Sequence, residues 1–125
     1  MDRPVELLIK VVSTNMLYGI TKKGKKYKKQ EAVDFEDNVR RLLNIHANRM
    51  RVPEKDDLEL ITRVFVSRKF DTSNCLKLLE DCIASHFKIN DRRFAGHRTS
   101  RVKTKEGEEK VRFLILPYDD SIYKI

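Results

Sequence analysis

The sequence predicts a single α+β domain, spanning residues 1–125, in which two helices pack on one mixed β-sheet. Three observations support this fold class. The chain has 125 residues, of which 40% are apolar, and this amount suits one hydrophobic core. Two segments carry apolar residues at helical spacing, and four others are short apolar runs typical of strands. No internal repeat or linker divides the chain.

The first predicted strand covers residues 5–12, a run rich in apolar and β-branched side chains. We expect it to be a strand and not a signal peptide, because an acid stands at position 2 and no small-residue cleavage site follows. Two glycines and six lysines come next, and residues 19–30 form a basic loop. The core cannot use such a segment, which predicts an exposed loop or hairpin.

The first predicted helix covers residues 31–51. Acidic residues stand at its start and arginines at its end, which suits the helix dipole, and Pro53 stops it. Its apolar face is predicted to consist of Phe35, Val39, Leu42, Leu43, His46 and Met50.

The second half of the chain predicts a strand over residues 58–70, a helix over 72–87 and strands over 94–105 and 110–116. The last two strands are joined by the turn sequence EGEE, which predicts a β-hairpin. The tail, residues 117–125, has no regular pattern.

The formal net charge of +8 and the pI of about 9.6 favour an anionic partner, either nucleic acid or an acidic membrane face. No apolar run is long enough to span a membrane.

Cys75 and Cys82 lie seven residues apart in one predicted helix, a rise of about 10.5 Å that is too long for a disulfide. Reduced cysteines predict a cytoplasmic protein.

The segment "KFDTSNCLKLLEDCI" is either an ordinary helix cap or a site that binds phosphate and metal. Asp71, Thr72 and Ser73 are all competent to cap the helix that follows. Helical spacing places Ser73, Lys77 and Asp81 on one polar stripe, so Lys77 and Asp81 are either an exposed ion pair or part of a site.

Phosphodiester cleavage needs stabilisation of charge on the phosphate and an activated water molecule, and Mg²⁺ held by carboxylates supplies both. Asp71 and Asp91 are the candidate carboxylates. Lys77 is the candidate cation that either stabilises the phosphate in the transition state or orients the water molecule.

Three stretches, in this order, resemble the RusA-type Holliday-junction resolvases, which are small dimeric endonucleases. The stretch "STNMLY" is similar to a family signature at Ser13, Asn15 and Tyr18, although Val12 replaces the proline before it. The stretch "INDRR" matches the second acid of the family's Asp-Asp pair at Asp91.

The central stretch is similar to the family's run Asp-x-Asp-Asn-x-x-Lys, followed four residues later by an acid. Asp71, Asn74, Lys77 and Asp81 match this run, and Ser73 stands where the family has its second Asp. The resemblance covers about residues 5–116 and implies a RusA-like fold and a homodimer that cuts branched DNA with Mg²⁺.

The resemblance also implies roles for individual residues. Asp71 and Asp91 become metal ligands and Lys77 the catalytic cation, while Ser73, Asn74 and Asn15 support the site. Since serine adds no negative charge, metal affinity should be lower than in the family. The alternative is therefore a non-catalytic protein that binds branched DNA through a site weakened at Ser73.

Two basic regions are the candidates for DNA contact, each with the alternative of an ordinary solvated surface. The predicted nucleic-acid-binding residues are Tyr18, Lys22, Lys23, Lys25, Lys26, Lys28, Lys29, Arg92, Arg93 and Arg101. Neither a zinc motif nor a phosphate-binding glycine loop is present, so we expect no zinc and no nucleotide cofactor. A basic fold that binds RNA or a membrane is a further alternative.

Overall fold

The computed structural model describes residues 1, 3–69 and 72–123, and for residues 14, 15, 73 and 74 it describes the backbone only. The strands are β1 (Val5–Leu7), β2 (Tyr18–Ile20), β3 (Lys26–Lys28), β4 (Leu58–Val66), β5 (Phe94–Lys103) and β6 (Lys110–Pro117). The α-helices are α1 (Thr14–Leu17), α2 (Gln30–His46) and α3 (Ser73–His86). Short 3₁₀ turns lie at Asp91–Arg93 and Asp120–Ile122.

The main sheet has four strands in the order β1-β6-β4-β5. Strands β4 and β5 are parallel and are connected through α3, whereas β6 runs antiparallel to both β4 and β1. The sheet is therefore mixed. With the two long helices α2 and α3 it confirms the prediction of a small single α+β domain.

The predicted hairpin of the last two strands is wrong. Strands β5 and β6 do not pair with each other, because β4 lies between them and pairs with both. Residues 104–109 connect the two strands across β4. Two strand spacings amount to about 9.6 Å, well within the reach of a six-residue connection.

One face of the sheet carries the core, and α2 and α3 cover it. The apolar face of α2 was predicted correctly at Phe35, Val39, Leu42 and Leu43, which are all buried. The core joins these residues to Leu79 and Ile83 of α3 and to Leu7, Leu60, Val64, Phe113 and Ile115 of the sheet. None of the helices in the described part of the chain is long and apolar enough to cross a membrane.

Helix α2 ends at His46, five residues before the predicted end, and the chain turns at Ala47–Met50. His46 is exposed and does not belong to the apolar face, while Met50 is only partly buried against the core. The backbone leaves the helical conformation at Ala47. The Ala47 amide still donates to the Leu43 carbonyl, but its φ of −127° already leaves the helical range.

Residues 18–28 form a separate two-stranded hairpin, which confirms one of the two predicted forms of the basic segment. Strands β2 and β3 pair antiparallel, with Gly19 opposite Tyr27. The Tyr27 ring covers Gly19 so closely that a Cβ there would lie 2.4 Å from ring atoms. Lys26 Nζ lies 4.2 Å from the centre of the Tyr18 ring.

A Schellman motif ends α3 and turns the chain back towards the sheet. Its two hydrogen bonds run from Ile89 N to Ala84 O (2.8 Å) and from Lys88 N to Ser85 O (3.2 Å). Lys88 takes the left-handed conformation with φ of 54°, and Ile89 is buried. The motif therefore sets the direction of the chain after α3, in the segment that contains Asp91.

In the described part of the chain no α-helix packs on the other face of the sheet, and the tail covers one end of that face. There the buried carboxylate of Glu59 accepts hydrogen bonds from Arg98 and from the Tyr123 hydroxyl, the latter at 2.8 Å. Tyr118 and Tyr123 stack over Gly96, where a Cβ would lie 2.9 Å from the Tyr118 ring. The tail is thus tied to β4 and β5.

Candidate active site around helix α3

Several predicted site residues lie outside the described part of the structure. Asp71 is one of them, and the side chains of Ser73, Asn74 and Asn15 are not described. Their neighbours still locate the segment. In the sequence, residue 71 comes between Lys69, which lies three residues after the end of β4, and the first turn of α3. Thr72 precedes that turn without a capping hydrogen bond from its side chain to the described residues.

The stretch "STNMLY" comes to lie against the start of α3. Residues 14–17 form α1, which contacts both α2 and α3. The thiol of Cys75, in the first turn of α3, approaches the backbone of Val12. Ser13 and Met16 line a groove of about 400 Å³ together with Lys69. The first two motifs, which are distant in sequence, are therefore neighbours in the fold.

Lys77 and Asp81 form the ion pair that their helical spacing allows. Lys77 Nζ lies 3.3 Å from the Asp81 carboxylate, and both side chains are more than half exposed. The hydrogen bond and charge of Asp81 raise the pKa of Lys77, and Glu80 and Asp91 contribute to the same shift through their charges. Lys77 is therefore cationic at neutral pH and lies within the electrostatic field of Asp91.

Asp91 is the first residue of the 3₁₀ turn that precedes β5, and its side chain is exposed. The preceding Asn90 accepts a hydrogen bond from the Arg92 amide at 3.0 Å and so fixes the turn. Among the described residues, no side chain hydrogen-bonds to the Asp91 carboxylate. Its oxygens thus remain accessible as ligands of a hard cation.

Glu80 and His97 form a polar contact that the sequence did not predict. His97 Nε2 on β5 lies 3.8 Å from the Glu80 carboxylate on α3. Burial raises the pKa of Glu80, while the nearby His97 and Lys77 charges oppose that shift. Glu80 lies one helical turn after Lys77. Helical spacing in the sequence therefore indicates that Glu80 is near Lys77, but it gives no sign of the partner His97 on β5.

The donor set is incomplete within the described residues. No group of three His, Cys, Asp or Glu side chains is arranged there to hold a metal ion. Asp91 has the oxygen chemistry that Mg²⁺ prefers, and a two-carboxylate set would need Asp71 as well. The assignment of Asp71 and Asp91 as metal ligands therefore stays a prediction.

The predicted DNA-binding cations differ in their surroundings. Lys28 pairs with Glu36 at 2.7 Å, and Arg93 donates to the carbonyls of Pro53 and Lys55 at 3.3 and 2.6 Å. These contacts give Lys28 and Arg93 structural roles. Besides Lys28, the exposed predicted cations are Lys22, Lys23, Lys25, Lys26, Arg92 and Arg101.

Lys29 begins α2 as its N-cap, and its side chain is half-buried. Its amide donates to the Leu17 carbonyl at 2.8 Å, which ties the basic hairpin to α1. The hairpin and its lysines are in this way held close to the stretch "STNMLY".

No protein-family model matches this chain, and no curated protein is significantly similar to it. The likeness to the RusA-type resolvases stays a prediction from the three stretches of sequence.

Proposed function

We propose that this protein is a RusA-like, Mg²⁺-dependent endodeoxyribonuclease that cuts branched DNA, such as Holliday junctions, as a homodimer. The observation that carries the proposal is the convergence on α3. Helix α1 of the stretch "STNMLY" contacts α3, and Lys77 lies on the second turn of α3. Asp91 follows the end of α3 by five residues, and its charge contributes to the upward shift of the Lys77 pKa. Residues from all three family-like stretches thus lie on α3, against it or in the turn that follows it.

The chain's own residues account for the handling of charge during cleavage. A pentavalent phosphate carries more negative charge than the ground state, and a cation already in place stabilises it without reorganisation. Lys77 is such a cation, and its exposed pair with Asp81 leaves it able to turn towards a phosphate. Bound Mg²⁺ would supply Lewis-acid polarisation and a more acidic water.

Cleavage of synthetic four-way, flap and linear DNA in the presence of Mg²⁺ tests the proposal. We expect cuts in the four-way junction, and we expect Asp71→Asn and Asp91→Asn to abolish them. The matched control is Asp37→Asn on α2, which removes an exposed carboxylate that is none of the predicted site residues and should leave cutting unchanged. Clean protein that binds the junction but never cuts it, with Mg²⁺ or Mn²⁺, would refute the nuclease.

A second candidate function is binding of branched DNA without cleavage. It is favoured by Ser73, which adds no charge where the resembling family has an acid. The substitution Ser73→Asp separates the two candidates. A large gain of cutting would identify a scaffold that lacks only one ligand, whereas junction binding without any cutting would support the binding protein.

A further inference from the structure

A basic groove opens where β4 and β5 end, on the side of the sheet that carries the helices. It has a volume of about 500 Å³, and four of its six described lining residues are cationic. The lining consists of Val66, Ser67, Arg68, Lys69, Arg101 and Lys103. In the parallel ladder Arg101 pairs with Val64 and Lys103 with Val66, both of which face the core. Arg101 and Lys103 therefore point to the same side of the sheet as α3.

The four cations of this groove are exposed, and no described carboxylate forms an ion pair with them. Other cations of the molecule differ in this respect, since Lys28 pairs with Glu36 and Arg112 with Glu6. Like charges gathered around one concave surface repel one another, and a bound anion relieves that repulsion. The groove thus has the charge and shape of an anion-binding site.

The basic surface continues beyond the first groove through Arg68. Arg68 and Lys69 also line the groove of about 400 Å³ that contains Ser13, and Lys10 joins them there. A third groove shares Lys10 and Arg68 and includes one acidic residue, Glu106. The three grooves form an extended basic path, which suits a polyanion better than a single small anion.

We propose that this path, which we call the β4–β5 groove after its largest part, binds backbone phosphates of the DNA strand that enters the active site. The inference rests on the proposed function, because it takes Asp71 as part of the site, and residue 71 follows Lys69 by two positions. Arg101 and Lys103 are two residues apart on one strand, about 6.6 Å, close to the spacing of successive phosphates. The groove would bind the DNA strand independently of its base sequence, since phosphates carry no base information.

The test compares two double variants that remove the same two charges. Arg101→Gln/Lys103→Gln alters the β4–β5 groove, and Arg41→Gln/Lys55→Gln alters exposed cations on α2 and before β4. Junction affinity is measured in EDTA over a range of salt concentrations. We expect the groove variant to bind about 10-fold more weakly and its log–log salt slope to flatten by about 1.8, from two lost phosphate contacts. The control variant should change affinity less than about 3-fold.

Equal losses in the two variants would reduce the effect to net charge and overturn the inference, as would no loss in either. A wild-type chain that binds no DNA, or that binds a matched RNA more tightly, would also overturn it. All substituted side chains are exposed, so thermal unfolding should match the wild type. Arg68→Gln is a second, independent change in the same path and should weaken binding in the same way.

Adding Mg²⁺ to the same complexes separates this inference from the proposed function. If the chain cuts junctions but the two double variants bind alike, the nuclease stands and the groove does not bind phosphate. If the groove variant alone loses affinity and no protein cuts at any Mg²⁺ concentration, the groove stands and the nuclease is refuted.

Discussion

The thiols of Cys75 and Cys82 lie inside the core, and burial raises the pKa of each from 9.0 to about 11. The thiolate is the reactive form of cysteine. Both residues are therefore protected twice, by lack of access and by lack of ionisation.

We accordingly expect iodoacetamide at pH 8 to modify neither thiol in the folded protein. The pKa shift alone reduces the thiolate fraction about 100-fold relative to an unfolded chain, so alkylation should be at least that much faster in urea. Mass spectrometry over time measures the rate. A variant Lys22→Cys, with its thiol on the exposed hairpin, should be labelled once and rapidly, and rapid labelling of the wild type would contradict the buried placement.

Glu80 gives the second prediction at this scale. Its folded-state pKa is raised by burial, so the stability it contributes is present below its ordinary pKa of 4.5 and is lost as the pH rises through the folded value. At neutral pH the ionised Glu80 is thus unfavourable relative to a neutral group. Glu80→Gln should raise the melting temperature at pH 7.5 but give no gain at pH 4. The control Glu54→Gln removes an exposed carboxylate in a loop, and an equal rise of the melting temperature in that variant would assign the effect to net charge.

The polar residues around α3 differ in how far sequence alone predicts their contacts. The ion pair of Lys77 with Asp81 follows from their spacing within one helix, and it is present. The contact of Glu80 with His97 joins α3 to β5, and no local pattern encodes it. Sequence thus predicts polar neighbours within an element more readily than neighbours across elements.

At the scale of elements, partners decide where strands end. The predicted strand over residues 5–12 is reduced to Val5–Leu7. The two strands run antiparallel and Leu7 pairs with Val111, the second residue of β6, so β1 reaches the start of its partner strand there. Likewise, β4 ends at Val66, opposite the last residue of β5, and not at residue 70. Apolar residues occur beyond the ends of both β1 and β4. The length of the neighbouring strand sets where each strand ends, and composition does not show that length.

The end of α3 provides a test of local backbone strain. Lys88 adopts a φ of 54° in the Schellman motif, a conformation that costs a residue with a Cβ about 1 kcal/mol relative to glycine. Lys88→Gly should therefore increase the free energy of unfolding by about 0.5–1 kcal/mol in a urea titration. Lys88→Ala removes the same charged side chain but keeps the Cβ, so it should bring no comparable gain. An equal gain in both variants would assign the effect to charge.

At the scale of the whole molecule, the strand order explains which part of the fold sequence could predict. Periodicity identified the two long helices and the strands of a mixed sheet. It did not show that β4 lies between β5 and β6, because a six-residue connection serves a hairpin and a crossing of one strand equally well. The strand order also determines the site, since it makes β4 and β5 parallel neighbours and places their carboxyl ends beside the start of α3.

The last prediction concerns the proposed homodimer. A twofold axis would relate two active sites, one for each of two strands of a four-way junction. In dimers that combine a wild-type subunit with an Asp91→Asn subunit, only one site can act. We expect such mixed dimers, isolated through two different affinity tags, to leave junctions with a single nick, whereas wild-type dimers make paired cuts. Denaturing and native gels of the same reaction distinguish the two products. Paired cutting by the mixed dimer would mean that one subunit serves both strands, and a monomer by light scattering would refute the dimer itself.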